Sequence, residues 1–433
     1  MELLNFVKNN LMKRILFLLT ILMIFSFQRN LNLPFNQNKT QLVIDLEKDY
    51  ISNPEHLKSF FSKLHYLQQN QGDSVVKILH LGDSHTQMGY FPGEVRDALQ
   101  ARFGGKGIGI FFPNSLCSGY NPIGLDISSK TQWECEKVLN LKSNIPLGIV
   151  GLAMQSSDSV CVLNIAFKDK KKLVEEFTVF HENLGEEMEV VCAQGKVSTY
   201  SFSAKSAMTK VVLKNPKSEV VLHFRRKKDS KPFVLYGLSV NSEISKGVNY
   251  NTFGVSGGQY RFLAENAPLM VEQMEAFKPD LLIISLGTND AYLKDIKSEG
   301  YEEMLTKLIQ SLKKVSPKTE FILTTPPDTE YNKNKPVSRE IVIQGILNVG
   351  KSTQCAVWNF NEAMGGENTF KKWQKLKLAS KDGLHFNTEG YYLQGQLFNV
   401  ALAKAMEKQF PGNGWLPETE KVVLKTLYKY EKN

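Results

Sequence analysis

The chain has 433 residues, 42% of them hydrophobic and 22% charged, with a formal net charge of +9. This length and apolar content exclude a disordered chain and allow two or three domains around a large core. The positive balance suits anionic surfaces such as acidic lipids or polyanionic wall polymers, whereas the sequence holds no zinc-finger spacing, RNA-binding signature or dominant Lys/Arg block, so no nucleic-acid partner is expected.

Lys8, Lys13 and Arg14 precede an apolar run from Ile15 to Phe27, interrupted only by Thr20 and Ser26. A basic stretch followed by a short run that is apolar on all faces is the grammar of an export signal. The run is shorter than the ~20 residues of a full membrane span. No Ala-x-Ala cleavage site follows it, so residues 1–35 read equally as a cleaved signal peptide or an uncleaved signal-anchor. Either way the rest of the chain is expected in the periplasm or cell envelope, and the uncleaved form would hold it at the inner membrane. Residues 36–72 form a polar lead-in. Within it, Leu57, Phe60, Phe61, Leu64 and Leu67 are spaced for one face of a helix that starts after Asn53-Pro54.

Val75 to Leu81 is a short apolar run that stops at Gly82-Asp83-Ser84-His85. It reads as a buried strand leaving its sheet, with a helix from Gln87 to Phe103. Such an exit places the Ser84 hydroxyl at the carboxyl edge of a sheet, where open α/β folds bind ligands. Four glycines follow between Phe103 and Pro113, but the Lys-Ser or Lys-Thr that completes a phosphate-binding loop is missing. This segment is expected to be a tightly folded loop rather than a nucleotide site.

From 118 to 248 the texture changes to short alternating segments separated by turns such as Asn183-Leu-Gly185 and Lys214-Asn-Pro216. That spacing predicts an inserted β-sandwich. Trp133, Tyr200 and Tyr236 are either sugar-stacking aromatics or members of the sandwich core. The five cysteines include no Cys-x-x-Cys pair, so no zinc site is expected. Cys117 with Cys135, or Cys161 with Cys192, are candidate bridges, and buried free thiols are the alternative.

Strands alternating with helices return at 249–412, which with 73–117 predicts a mostly parallel sheet covered on both faces. Strands are expected at Leu281–Leu286, Glu320–Thr325 and Ala356–Asn359, with a last helix from Thr388 to Lys408. The stretch from Trp358 to Gly366 is either part of a ligand pocket or a plain strand end. Residues 413–433 read as a basic tail, either a solvated helix or a frayed end.

Ser84 needs a base to take its proton, a group to orient that base, and donors for the oxyanion. Of the seven histidines, His385 stands out because Asp382 precedes it by three residues in a glycine-containing turn. His80 sits within a strand and reads as a core residue, and His85 is expected to point away from Ser84. The candidate oxyanion donors are the backbone N–H groups of Ser84 and Gly257 and the side-chain amide of Asn289, with Gly258 as the neighbouring alternative to Gly257.

Gly-Asp-Ser-His at 82–85, Gly-Val-Ser-Gly at 254–257, Gly-Thr-Asn-Asp at 287–290 and Asp-Gly-Leu-His at 382–385, in this order, resemble the four blocks of the SGNH (GDSL-type) hydrolases. The resemblance implies nucleophile Ser84, base His385 oriented by Asp382, and an oxyanion hole of Ser84, Gly257 and Asn289. It also implies a flavodoxin-like, three-layer αβα domain. The Gly-x-Ser-x-Gly elbow of α/β-hydrolases is absent. His85 departs from the Leu usual after the serine. With the inserted sandwich, it makes the chain similar to two-domain bacterial peptidoglycan O-acetylesterases and O-acetyltransferases. The expected activity is therefore removal or transfer of O-acetyl groups on a cell-wall or surface polysaccharide through an acyl-Ser84 intermediate, with no metal or organic cofactor. A lipase or thioesterase of the same fold is the alternative within the class. A non-catalytic carbohydrate-binding or scaffold protein is the alternative outside it.

Overall fold

The computed structural model describes residues 44–431, except for short stretches within 71–73, 118–122, 141–150, 202–205, 228–230, 242–243 and 266–276. The export segment expected at 1–35 lies outside the described residues. Among the described residues no helix is long and apolar enough to cross a membrane.

The central element is a six-stranded sheet ordered Ile51–Ser52, Ala356–Trp358, Glu320–Thr324, Leu281–Ser285, Val75–Gly82, Gly247–Gly254. All neighbours are parallel except the short Ile51–Ser52 edge strand. Taken in chain order, the five parallel strands run 2-1-3-4-5, the flavodoxin-like order. Every residue of the Leu281–Ser285 strand is buried, as expected for a parallel strand covered on both faces. The side-chain alternation divides the core in two. Leu79, Leu81, Leu282 and Ile284 face one layer with the Ser298–Val315 and Arg339–Ser352 helices. Val76, Ile78, Leu281 and Ile283 face the other, with the Lys58–Gln68, Tyr90–Phe103 and Thr388–Gln409 helices. Leu57, Phe60, Phe61, Leu64 and Leu67, the five lead-in residues spaced for one helix face, are all buried there.

Between the first two parallel strands the chain builds two antiparallel sheets. The four-stranded one pairs Leu125–Ser128, Val160–Phe167, Glu219–Arg226 and Met188–Val191 in that order. The seven-stranded one is centred on Val174–Glu182 and Phe233–Val240. Phe224 from one sheet stacks on Phe233 from the other at 4.6 Å between ring centroids, which fixes the two faces against each other. The fold is thus an α/β domain carrying an inserted β-sandwich.

The glycine loop is where the two units meet. Its Ile110–Phe111 strand pairs with Phe233–Val240, while a Cβ on Gly109 would sit 2.0 Å from the Tyr250 carbonyl oxygen and one on Gly105 2.4 Å from that of Val248. Only glycine lets the loop lie this close to the Gly247–Gly254 strand. The loop is folded as tightly as its composition predicts.

Three sequence expectations resolve differently at the packing level. Trp358 lies wholly inside the core and donates its indole N–H to Asp49 at 2.8 Å, so it lines no ligand pocket. Residues Trp415–Glu431 form a helix whose Trp415, Val423 and Leu427 are buried; the tail is docked rather than solvated. Trp133 is half-buried beside Phe233 and Tyr236 is buried, which leaves Tyr200 as the exposed member of the three candidate sugar-stacking aromatics.

Of the two candidate bridges, Cys117 and Cys135 form a disulfide, and Cys161, Cys192 and Cys355 are free and buried. The bridge closes a loop of sequence separation 18, so its reduction is expected to lower unfolding free energy by about 3 kcal/mol. Denaturant unfolding with and without reductant measures this. Superimposable curves would show that the bridge carries no stability.

Candidate active site

The Val75–Gly82 strand ends in a glycine because nothing larger fits. A Cβ on Gly82 would meet the Thr86 side chain at 2.4 Å and the Ser285 carbonyl at 2.9 Å. The chain then turns at Asp83, whose carboxylate accepts the His85 N–H at 2.9 Å and caps the one-turn helix Ser84–Gln87. Thr86 donates its hydroxyl to the Asp83 carbonyl at 2.9 Å. Ser84 is therefore the first residue of a braced helical turn, half-buried at the strand's carboxyl end. The turn sits beside the switch point between the Val75–Gly82 and Leu281–Ser285 strands, where the order reverses.

The turn before the Thr388–Gln409 helix brings in Asp382 and His385. Asp382 Oδ1 accepts the backbone N–H groups of Leu384 at 2.9 Å and His385 at 3.0 Å. Gly383 has φ +81°, and a Cβ there would lie 2.0 Å from the Glu330 carbonyl oxygen, which accounts for Asp-Gly in this position. The other carboxylate oxygen, Oδ2, lies 2.7 Å from His385 Nδ1. His385 Nε2 lies 2.9 Å from Ser84 Oγ, across 301 residues of sequence. With Nδ1–H donated to Asp382, Nε2 is the acceptor for the serine proton. Burial alone would push the Asp382 carboxyl up, but the hydrogen bonds from the His385 ring and from the His385 and Leu384 amides outweigh it and hold it below the usual carboxylate range.

Gly257 has φ +82°, a left-handed turn that glycine accommodates without strain. Gly257 and its neighbour Gly258 differ in hydrogen bonding. The Gly258 N–H donates to the Val255 carbonyl at 2.8 Å, so it is not available to a ligand. Asn289, in the short helix Thr288–Ala291, donates one amide hydrogen to the Gly258 carbonyl at 3.0 Å, which fixes its side chain and leaves the second hydrogen. Next to it, Asp290 is buried and receives the Tyr260 N–H at 3.1 Å. Burial raises its carboxyl to about 7, and its bond from Tyr260 ties the segment after Gly257 to the Asn289 turn.

Other histidines have packing partners. His80 lies within 2.7 Å of Ser285 Oγ and 2.9 Å of Tyr250 Oη, and burial lowers it to about 3, so it is a neutral core residue. His181 bonds Thr209 and the Glu182 carbonyl inside the sandwich. One neighbour of the site was not legible in the sequence. Leu139, from the inserted unit, places Cδ1 3.1 Å from where a Gly257 Cβ would be. No local pattern signals a contact made only when the insertion folds back over the sheet edge.

Residues 239–393 match the family of GDSL-like lipases and acylhydrolases. In fold, this chain resembles the SGNH-type hydrolases. The match spans three of the four blocks, from Gly254 to His385. A solved structure of a peptidoglycan O-acetylesterase shares 20% identity with TM-score 0.67, over 81% of this chain and 97% of that one. Its extent takes in both the hydrolase and the inserted sandwich. An acetylxylan esterase from Geobacillus stearothermophilus aligns at 22% identity over 39% of this chain and 75% of its own, with TM-score 0.29. A GDSL-like lipase structure from Parabacteroides merdae aligns at 24% over 36% and 73%, also with TM-score 0.29. No curated protein matches the chain significantly in sequence.

Proposed function

We propose that this protein is a serine esterase that removes O-acetyl groups from a cell-envelope polysaccharide through an acyl-Ser84 intermediate. The observation that carries the reading is the continuous relay from Ser84 Oγ through the His385 ring to the Asp382 carboxylate, at 2.9 and 2.7 Å. Ser84 Oγ attacks the ester carbonyl as its proton passes to His385 Nε2. The new oxyanion is held by the N–H groups of Ser84 and Gly257 and the remaining amide hydrogen of Asn289. His385 then gives its proton to the departing sugar oxygen, leaving acetyl on Ser84. Water, deprotonated by His385, attacks the acyl carbonyl, and acetate leaves as Ser84 regains its proton.

Several features support an exported glycan esterase. The chain shares its two-domain fold with a peptidoglycan O-acetylesterase. It carries a disulfide, which persists in oxidising compartments, behind an export-type N-terminus. Its net charge of +9 suits an anionic wall polymer. The side chains of His385 and Asp382 are 35% and 39% exposed, which admits a bulky polymer and also water. Access of water favours hydrolysis over transfer to a second sugar, because a transferase has to keep water from the acyl-enzyme.

Incubation with O-acetylated peptidoglycan is expected to release acetate, with little turnover of long-chain acyl esters. Preference for long-chain esters over the acetylated polymer would replace this reading with a lipase or thioesterase. Within the mechanism, Asn289→Ala is expected to lower kcat by roughly 10²–10³-fold with a small change in KM, because its amide serves the transition state more than the ground state. A KM effect with kcat unchanged would place Asn289 in substrate binding instead.

A further inference from the structure

His85 follows the proposed nucleophile but has no part in the relay. It is 5% exposed, and its ring centroid lies 5.5 Å from that of His385. Its surroundings define its protonation pattern. The Tyr391 phenol oxygen lies 3.3 Å from His85 Nδ1, and the Phe386 ring packs edge-on against the His85 ring at 5.7 Å between centroids. With the phenol O–H donated to Nδ1, the His85 proton resides on Nε2. Nε2 is buried without a protein partner. It belongs to a residue lining a cavity under the Ser84 turn, together with Asp83, Ser285, Thr288, Thr325 and Gln394. The amide oxygen of Gln394, another buried lining residue, also has no protein partner. The cavity offers about 10 Å³, the room of one water-sized sphere, and its lining mixes these polar groups with Phe91, Leu286, Pro326 and Pro327. His85 Nε2, Gln394 Oε1 and Asp83 Oδ2, all buried and unmatched, belong to residues that line this one water-sized space.

We propose that one water held between His85 Nε2–H and Gln394 Oε1 locks His85 in place as a positioning residue for His385. The proposal rests on the reading of His385 as the base. The tie runs from Gln394 through the water to His85 and on to the Tyr391 hydroxyl, and the ring of Phe386, the residue next to His385, packs on the His85 ring. It fixes the imidazole beside His385 and, through Phe386, the turn that carries the base. A misalignment of this kind far from the reacting atoms is costly because the proton transfer from Ser84 depends on angle and distance. The titratable groups facing His85 are Asp83 on its own turn, Asp382 and His385 on the opposing turn, and Tyr391 on the following helix. Burial, helped by the nearby His385, lowers His85 to about 3. The proposed tie thus keeps beside the base a neutral ring that does not repel the imidazolium formed during turnover.

The test uses the full chain and a chromogenic acetate ester, with His85→Leu, Gln394→Met, the double variant, His85→Gln and His385→Gln. The expected result is a ten- to hundredfold loss of kcat, about the cost of a misplaced catalytic group, in each of the His85→Leu and Gln394→Met variants. KM stays near wild type. The double variant loses no more than the worse single one, because both break the same tie. His85→Gln, which keeps a donor toward the cavity, recovers most of the rate. Thermal midpoints accompany each measurement. Wild-type kcat in either single variant overturns the proposal, as do losses that multiply in the double variant or that track the thermal midpoint alone. Full turnover in His385→Gln would overturn it by a different route, by removing the base that His85 is proposed to position.

Discussion

Ser84→Ala is expected to lower kcat/KM for an acetyl ester by roughly 10⁴–10⁶-fold, the range seen when a serine hydrolase loses its nucleophile. The physical reason is that alanine leaves no atom to form the acyl bond, while the Ser84 and Gly257 N–H groups and Asn289 remain to bind the substrate. KM should therefore change little, and residual turnover should come from water attack polarised by those donors alone. Ser84 is half-buried at the first position of a short braced helix. Its hydroxyl bonds only His385 Nε2 among the described contacts, so the substitution should leave thermal stability within about 1 kcal/mol of wild type. Steady-state kinetics with a parallel melting curve separate loss of chemistry from loss of fold. A variant with more than a few per cent of wild-type activity would assign the nucleophile elsewhere.

Asp382→Asn is expected to be the second-largest single effect, a kcat loss of roughly 10³–10⁴-fold. The carboxylate accepts three hydrogen bonds, two from backbone amides and one from His385 Nδ1. An amide oxygen in place of Oδ1 can still accept the backbone pair. The amide nitrogen would then face His385 and offer a donor where an acceptor is required. His385 must respond by placing its proton on Nε2, the nitrogen that has to receive the serine proton. Charge is lost as well, and with it the stabilisation of the imidazolium. The side chain of Asp382 is 39% exposed, so solvent screens part of that attraction and the loss falls toward the lower end of the range. The ionised state of Asp382 should persist well into acid, because its folded carboxyl lies below the usual value. The stability that its accepted hydrogen bonds contribute is accordingly present above the unfolded carboxylate pKa and disappears only as pH falls through the lower folded one. Retention of kcat in Asp382→Asn would mean that His385 is oriented by another group.

The parts of this molecule that were legible in the sequence are those encoded locally. A strand that must stop against Ser285 and Thr86 has to end in glycine, and a carboxylate that accepts the amides two and three residues on has to sit just before that turn. Such constraints leave short, ordered signatures, which is why Gly82 to His85 and Asp382 to His385 could be paired across 301 residues. The alternating texture of the insertion likewise announced antiparallel strands. Contacts between distant segments left no such trace. Trp358 was open to a pocket role because nothing near it reveals that Asp49, far away in sequence, accepts its N–H. The C-terminal lysines suggested a solvated tail, while Trp415, Val423 and Leu427, spaced along one helix face, were burying themselves against the core. Leu139 reaches Gly257 only through the fold of the insertion. The difference between Gly257 and Gly258 lies in the hydrogen bond from Gly258 to Val255, a matter of backbone direction that two adjacent glycines do not encode.

The acyl-enzyme is the claim on which the proposed function turns. Rapid mixing with an acetyl ester, acid quench and peptide mass spectrometry would test it most directly. The account predicts one acetyl group on the peptide that contains Ser84, accumulating within a turnover and absent from Ser84→Ala. Acetate release that continues with no acetyl on that peptide, and at the same rate in Ser84→Ala, would contradict it.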